Sequence, residues 1–471
     1  MNIAQILHES AKGLVVAPAG FGKTHLIAEA VINYGHNQQL ILTHTHAGVD
    51  SIKSKIRRLS PTAKNIHVET IDGFILRYVA SYPKTSGWRG SFDDAVWDDI
   101  RKCGINLFKK DFIKKVIKNT YAGLYVDEYQ DCSQDQHAIV IEVMSVLPVR
   151  VLGDQLQGIF NFGHNQIVDW GKDVNGSFDV VGELATPWRW NNAGNPELGN
   201  WLSLIRQAII HNQSISLNNL PACVSLVNAT AQNDIIRECH AILSRVRDDE
   251  SIVIIGIANQ AGSTHSIASK LQGRCGVVEP LESKDLRKII TELMDQCVYK
   301  RAIAILKVAG VCFSGISESV LAQEFKALKK KQLPNRRNSI CISDPLKNFI
   351  EKGDLKGMVG LVECFNSFPN SYLYRKELYY EILKILKESL RSGISLNESL
   401  VKVRENTRRL GRRIPKKAIA RTVLIKGLEF DHAVILNAES FDQRNLYVAL
   451  TRATKTVTIF SRSDTLLTGS N

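Results

Sequence analysis

Short apolar runs recur along the chain at Leu14–Ala17, Leu40–Thr43, Leu124–Asp127 and Arg150–Gly153, and again at Ile252–Ile257, Ala433–Leu436 and Val457–Phe460. Each is followed by a polar or glycine-containing turn and then by helical spacing of apolar positions, which predicts strands that cross over through helices. Units of this kind build parallel sheets covered on both faces. The first four runs predict one sheet and the last three another. Residues 81–117 are polar and lysine-rich, and residues 281–400 keep helical spacing throughout, as in LRKIITELMDQCVYKRAIAILKVAG and ELYYEILKILKESL. There is no sequence repeat and no Gly/Ser- or Pro-rich linker. The expected architecture is α/β, with two parallel-sheet cores each interrupted by a small, mostly helical insertion. Residues 1–80 and 118–190 form the first core around an insertion at 81–117. Residues 191–280 and 401–471 form the second around an insertion at 281–400.

Composition narrows the class. A chain of 471 residues is too long for one hydrophobic core, and 44% hydrophobic with 23% charged residues excludes wholesale disorder. No apolar run approaches the ~18 residues of a membrane span. The N-terminus lacks the basic start, long apolar stretch and small-residue cleavage site of a signal peptide. Nine cysteines without a CxxC pair argue against a disulfide scaffold or structural zinc. A cytoplasmic protein with no membrane partner is expected.

The net charge of +13 is carried by two short segments. Residues 326–337 hold six basic side chains and no acid, and residues 402–417 hold eight basic and one acidic, so the rest of the chain sums to zero. Clustered basicity is the footprint of a polyanion partner, with a solvated helix face as the alternative for either stretch.

Chemistry enters at Ala17-Pro18-Ala19-Gly20-Phe21-Gly22-Lys23-Thr24, between the first strand and helix-forming HLIAEAVINY. A strand, a glycine-containing loop ending Gly-Lys-Thr and a helix make a phosphate-binding loop. Its amides, with Ala19, Gly20 and Gly22 in the turn, cradle phosphates, Lys23 reaches the β/γ oxygens and Thr24 holds Mg²⁺. Ala17 stands where the first glycine is usual. Downstream, Leu124-Tyr125-Val126-Asp127-Glu128-Tyr129-Gln130-Asp131 ends an apolar strand in two carboxylates. Asp127 suits the metal, and Glu128 is placed to orient and deprotonate an attacking water.

These two motifs together resemble the UvrD/Rep-like branch of superfamily 1 helicases, and four further landmarks follow in that family's order up to residue 453. The resemblance implies two RecA-like P-loop NTPase cores, with ATP and Mg²⁺ as cofactors. Val151-Leu152-Gly153-Asp154-Gln155-Leu156-Gln157-Gly158-Ile159-Phe160 is similar to the third motif, making Gln157 a γ-phosphate sensor. Thr186-Pro187-Trp188-Arg189-Trp190-Asn191 implies that Trp188 stacks on adenine and Arg189 reaches the γ-phosphate, although Arg189 alone also reads as a surface arginine. Lys426-Gly427-Leu428-Glu429-Phe430-Asp431 implies nucleotide contacts from Gly427 and Glu429. Leu446-Tyr447-Val448-Ala449-Leu450-Thr451-Arg452-Ala453 implies that Arg452 is an in-cis finger, supplied by the second core.

On the nucleic-acid side the resemblance makes Phe160 and Phe162 a base-stacking pair, although alternate spacing also suits two core residues on one strand face. Thr43 and Thr45 are read as strand-end contacts to the track, and Arg408, Arg409, Arg412 and Arg413 as part of a basic grip on DNA. Four departures fall on this side: Thr43-His44-Thr45-His46, Thr70-Ile71-Asp72-Gly73-Phe74, Gly163 and Val423. Gln5 is a candidate adenine-selecting glutamine with a short spacing to Lys23. Only 104 positions separate Lys23 from Asp127, and 19 residues follow Arg452, so no nuclease domain is expected after the last motif.

The resemblance implies an ATP-dependent helicase or translocase moving 3′→5′ on single-stranded DNA, with single strands or single/double-strand junctions as partners. Two rival readings are a DNA-stimulated ATPase that senses or feeds DNA to a nuclease subunit, and a non-catalytic nucleotide and nucleic-acid clamp. Compact UvrD-like chains also resemble helicase subunits of bacterial antiviral defence systems, including the Gabija type.

Overall fold

A computed structural model describes residues 2–90, 97–160, 166–229, 231–256, 261–280, 284–333, 340–410 and 413–467. The chain divides into two units, Met1–Gln213 with Asp442–Lys455, and Ser214–Phe441 with Thr456–Asn471.

The first unit is built on six parallel strands: β1 (Lys12–Val16), β2 (Gln39–Thr43), β3 (Ile66–Thr70), β4 (Gly123–Val126), β5 (Val149–Gly153) and β6 (Asp179–Glu183). Their order is β3-β2-β4-β5-β1-β6. Strands β2, β4 and β5 are buried along their whole length, which is why they read as unbroken apolar runs. The charged exception inside them, Arg150, is held by backbone carbonyls and an aromatic ring. Its Nε donates to the Ser10 carbonyl at 2.9 Å, a second nitrogen donates to the His8 carbonyl, and the guanidinium lies 5.3 Å from the Tyr125 ring centroid. The outer strands β3 and β6 were not legible from spacing, because an edge strand half open to water carries mixed polarity (IHVET, DVVGE).

The expected insertion at 81–117 forms helices Trp97–Phe108 and Asp111–Thr120. It has no separate core. Ile100, Leu107, Phe108, Ile113 and Ile117 join the cluster that covers β4 and β5. Asp72, one of the departures, ties this layer down: its two oxygens take Arg101 Nε at 2.9 Å and Nη2 at 2.7 Å, and Gln136 Nε2 at 2.8 Å.

The second unit holds another six-stranded parallel sheet, in the order Gly276–Val277, Lys417–Arg421, Ile252–Gly256, Phe430–Ile435, Ala453–Phe460, Val224–Val227. The fold class is therefore the expected α/β one, with two parallel-sheet cores. Helices from Lys284 to Leu410 form the second insertion and close on their own core, from Leu286 to Val403. Strand Lys417–Arg421 starts at the last residue of the basic segment 402–417, where Lys416 Nζ caps the Asp248 carbonyl at 3.0 Å and Lys417 Nζ approaches the Leu243 and Val246 carbonyls. Among the described residues, no helix is long and apolar enough to cross a membrane.

Candidate nucleotide site

The loop after β1 turns through two left-handed glycines, Gly20 at φ +77° and Gly22 at φ +94°, and Lys23 opens helix Lys23–Asn33. Neither glycine has room for a side chain. A Cβ at Gly20 would lie 2.9 Å from Arg189 Cβ, and one at Gly22 would lie 3.2 Å from Trp188 Cδ1. The Pro18 carbonyl takes the Phe21 amide at 3.2 Å, and the Arg189 amide donates to the Gly20 carbonyl at 2.9 Å. The turn is thus held from both sides with its helix end open to an anion. Thr24 follows, half-buried.

Lys23 is buried, and its Nζ lies 2.9 Å from Glu128 Oε2. Burial works against the ammonium charge, but Glu128 and then Asp127 outweigh it, and the net shift of the Lys23 pKa is upward. Asp127 leaves the end of β4, with its amide on the Leu42 carbonyl at 2.9 Å, and is buried. Burial, reinforced by the neighbouring Glu128 charge, pushes its carboxyl up to about 7, against the pull of Lys23. Glu128 itself sits in the left-handed region at φ 56°. A non-glycine residue there is uncommon and stores backbone strain, which the surrounding contacts must hold.

Strand β5 lies between β1 and β4, so its C-terminal end delivers Asp154 and Gln157 beside both motifs. Asp154 is fully buried. Its oxygens accept from the Leu156 amide at 3.2 Å and from Gln157 Nε2 at 3.0 Å, and Arg206 Nη2 lies 3.5 Å away. Tyr447 is also fully buried, and its hydroxyl meets both the Asp154 carboxylate and the Ala19 amide, with burial pushing its phenol pKa well up. Gln130 joins the halves: its Nε2 donates to Glu128 Oε2, and its Oε1 accepts from the Asp154 amide at 3.1 Å. Gln130, Asp154, Arg206 and Tyr447 had no assigned role in the sequence reading. The one signal for Gln130, Asp154 and Tyr447 was their placement inside motifs, and Arg206, within helix Pro196–Ile210, had none, since a buried hydrogen-bond partner leaves no periodicity.

Trp188 is 52% exposed beside the glycine turn, open on one face, whereas Trp190 is fully buried and donates its Nε1–H to the Ala453 carbonyl at 2.8 Å. Arg189 Nη1 donates to the Thr451 carbonyl at 2.7 Å. Arg452, expected on the second core, belongs to segment Asp442–Lys455, which packs with the first unit. Its guanidinium is buried and folded onto its own helix end, with Nε on the Val448 carbonyl at 2.8 Å and Nη2 on Thr451 Oγ1 at 2.9 Å. Gly427 (φ +82°) and Glu429 lie in the second unit, both exposed, between helix Thr422–Ile425 and strand Phe430–Ile435. Gln5 donates to Glu9 along its own helix at 2.9 Å.

The track-side residues are less uniform. Thr43 is buried at the end of β2 with 3% exposure, so a surface contact to a strand falls instead to Thr45. Thr45 is exposed and its hydroxyl caps helix His46–Leu59 through the Gly48 amide at 3.0 Å. His44 Nε2 lies 3.7 Å from Cys132 Sγ. Phe160 is 38% exposed, which removes it from the core. Phe162, Arg412 and the side chains of Arg408 and Arg409 lie outside the described residues, and Arg413 is exposed.

A search of curated proteins finds no match. Among solved structures, the chain aligns over 98% of its length with the helicase nonstructural protein 10 of an Arterivirus, in complex with DNA and alone. Both alignments have 10% identity, with TM-scores of 0.37 and 0.32. The PRRSV helicase aligns over 98% of the chain at 12% identity with a TM-score of 0.33. The chain spans only 62%, 61% and 54% of those three proteins. The family model for the UvrD/REP helicase N-terminal domain matches residues 2–115, the stretch containing the glycine turn, Lys23 and Thr24. Over its amino-terminal 2–115 stretch, then, the chain is similar to the UvrD/REP helicase N-terminal domain.

Proposed function

We propose that the protein is an ATP-dependent motor on single-stranded DNA, a helicase or translocase running 3′→5′. The observation that carries this reading is the pairing of buried Lys23 with Glu128 at 2.9 Å, beside Asp127 and the two left-handed glycines. Two carboxylates of different exposure next to a phosphate-cradling turn are what nucleotide hydrolysis requires, because phosphoryl transfer is mostly positioning and charge neutralisation.

Thr24 and Asp127 fit Mg²⁺: a buried carboxyl whose protonation is favoured by burial is a group that a divalent cation would discharge. Bound there with ATP, the ion would supply charge neutralisation at the β- and γ-phosphate oxygens. Lys23 binds the same oxygens, and Glu128 then turns from ion-pair partner to acceptor of a water proton. Gln157, in the helical turn after β5, and Arg189, in helix Trp188–Asn192, are assigned to the γ-phosphate, and the half-exposed indole of Trp188 to the adenine. Arg452 supplies charge in the transition state once its guanidinium leaves the Val448 carbonyl. Phe160, Thr45 and Arg413 face the DNA.

The test is ATP hydrolysis by the purified chain with and without single-stranded DNA, followed by displacement on forked duplexes with either a 3′ or a 5′ tail. Stimulation by single strands and displacement from the 3′ tail are expected. Hydrolysis indifferent to DNA, or displacement only from the 5′ tail, would overturn the motor or its direction respectively. Turnover without displacement would favour an ATPase that serves a nuclease partner.

A further inference from the structure

We infer that Gln130 is a positioning residue, whose carboxamide clamps the Glu128 carboxylate to the turn carrying Asp154 and Gln157. The inference rests on the nucleotide-hydrolysis reading above and adds to it a residue with no catalytic contact of its own.

The orientation of the carboxamide follows from its partners. The Asp154 amide, 3.1 Å from Oε1, can only donate, so the carbonyl oxygen of Gln130 must face it. The amino group then faces Glu128 Oε2, which can only accept while ionised. Oε2 is also the oxygen that Lys23 touches. Gln130 is buried with 2% exposure, so neither bond is replaceable by water without cost.

Gly153 is shaped for this bridge. A Cβ at that position would lie 2.6 Å from Gln130 Oε1 on one side and 3.0 Å from the Trp170 ring on the other. The last residue of β5 therefore has to be a glycine for the carboxamide to lie across the strand end, which accounts for the Gly153 that precedes Asp154 in the third motif.

Two consequences follow. When Lys23 turns to phosphate oxygens it leaves Oε2, and the Gln130 amino group is a donor that stays on that oxygen. The base is also tied through one side chain to the Asp154 amide, whose carboxylate holds Gln157, Arg206 and Tyr447. A shift of the Asp154–Gln157 turn therefore moves the base with it, and a shift of the base moves the turn.

The experiment compares Gln130→Glu, Gln130→Ala and Gly153→Ala with the full-length wild-type chain. Gln130→Glu keeps shape and the acceptor for the Asp154 amide but loses the donor. Kcat is expected to fall about tenfold or more with the ATP KM within about twofold, because base placement matters only in the transition state. Gly153→Ala, which displaces the carboxamide without touching its chemistry, should show the same split. A purely structural role would instead raise KM and weaken binding of a fluorescent nucleotide in parallel with a lower melting temperature. Urea denaturation of Gln130→Ala, Glu128→Ala and the double variant supplies a reading independent of turnover, in which a non-additive midpoint is expected. Additive midpoints, or an unchanged kcat in a wild type that hydrolyses ATP and whose Glu128→Gln variant does not, would overturn the clamp and leave the hydrolysis reading standing. A wild type without turnover would overturn that reading, and the denaturation cycle would then decide whether the clamp exists.

Discussion

Lys23 and Glu128 form a lopsided ion pair: the ammonium is buried while about a third of the carboxylate side chain is exposed, with 2.9 Å between Nζ and Oε2. The pair holds a lysine charged where burial alone would favour its neutral form. It also occupies the atoms that phosphate and water would claim, so this conformation resembles a resting site whose two active groups neutralise each other.

The two members therefore have separable phenotypes. Lys23→Ala should lose both nucleotide binding and turnover. Glu128→Gln keeps the donor–acceptor shape and should retain binding while hydrolysis falls by about 10²–10⁴, the usual contribution of a general base. Parallel nucleotide-binding and phosphate-release assays check this, and normal phosphate release by Glu128→Gln would remove Glu128 from the base role.

Gly22→Ala strikes the turn twice. The backbone at φ +94° strains any side chain, and the new Cβ would press on Trp188 at 3.2 Å. Left-handed strain of this kind costs about 1–3 kcal/mol. A modest drop in melting temperature and complete loss of fluorescent-nucleotide binding are expected. Intact binding would mean that the turn is not the phosphate cradle.

Trp190 ties the late segment to the first unit through one buried hydrogen bond, Nε1 to the Ala453 carbonyl. Trp190→Phe keeps an aromatic ring and removes the donor, stranding that carbonyl. The expected loss is about 1–3 kcal/mol, read from urea denaturation. A variant as stable as the wild type would show that the carbonyl finds another donor.

How much of this was legible depended on what each residue's role left in the pattern. Central strands β2, β4 and β5 are covered on both faces and announce themselves as apolar runs; the Asp127-Glu128 pair stands at the end of β4, and the glycine turn at the end of β1. Edge strands β3 and β6 are half wet and carry no such run. Lys417–Arg421 is internal to its sheet, but its sequence, KAIAR, begins and ends in charge, which leaves only three apolar residues in a row. Arg452 was assigned to the second core because it is late in the chain, and sequence order says nothing of Trp190 and Arg189 reaching across more than 260 positions to Ala453 and Thr451. Gln130 was invisible for a related reason. Its meaning lies partly in one backbone amide, that of Asp154 just past the end of β5, 24 positions away.

Cys297 offers a test away from the nucleotide site. It precedes helix Val298–Cys312, and the first-turn backbone N–H groups of Lys300 and Tyr299 favour its thiolate, which lowers the thiol pKa. Burial pushes Cys132, Cys239, Cys275 and Cys312 the other way. Iodoacetamide labelling followed by peptide mass spectrometry should therefore modify Cys297 before those four, and at a lower pH. Labelling of Cys132 ahead of Cys297 would contradict the direction of both shifts.

Asp127 connects stability to function with a definite sign. In the folded chain its carboxyl is raised to about 7 by burial and the adjacent Glu128, whereas an unfolded aspartate titrates near about 4. Between those values the folded state binds more protons than the unfolded state, so this group makes stability fall as pH rises. Below the window the carboxyl is neutral in both states and contributes nothing adverse. Asp127→Asn removes the titration while preserving shape, so its urea midpoint should exceed that of the wild type at pH 8 and approach it at pH 5. The same variant should lose Mg²⁺-dependent hydrolysis, because an amide cannot supply the charge that Mg²⁺ requires from this position. Adding Mg²⁺ with nucleotide should narrow the stability gap at pH 8 by discharging the wild-type carboxylate. A midpoint difference that is the same at pH 5 and pH 8 would place Asp127 in the ordinary carboxylate range and detach the metal assignment from its burial.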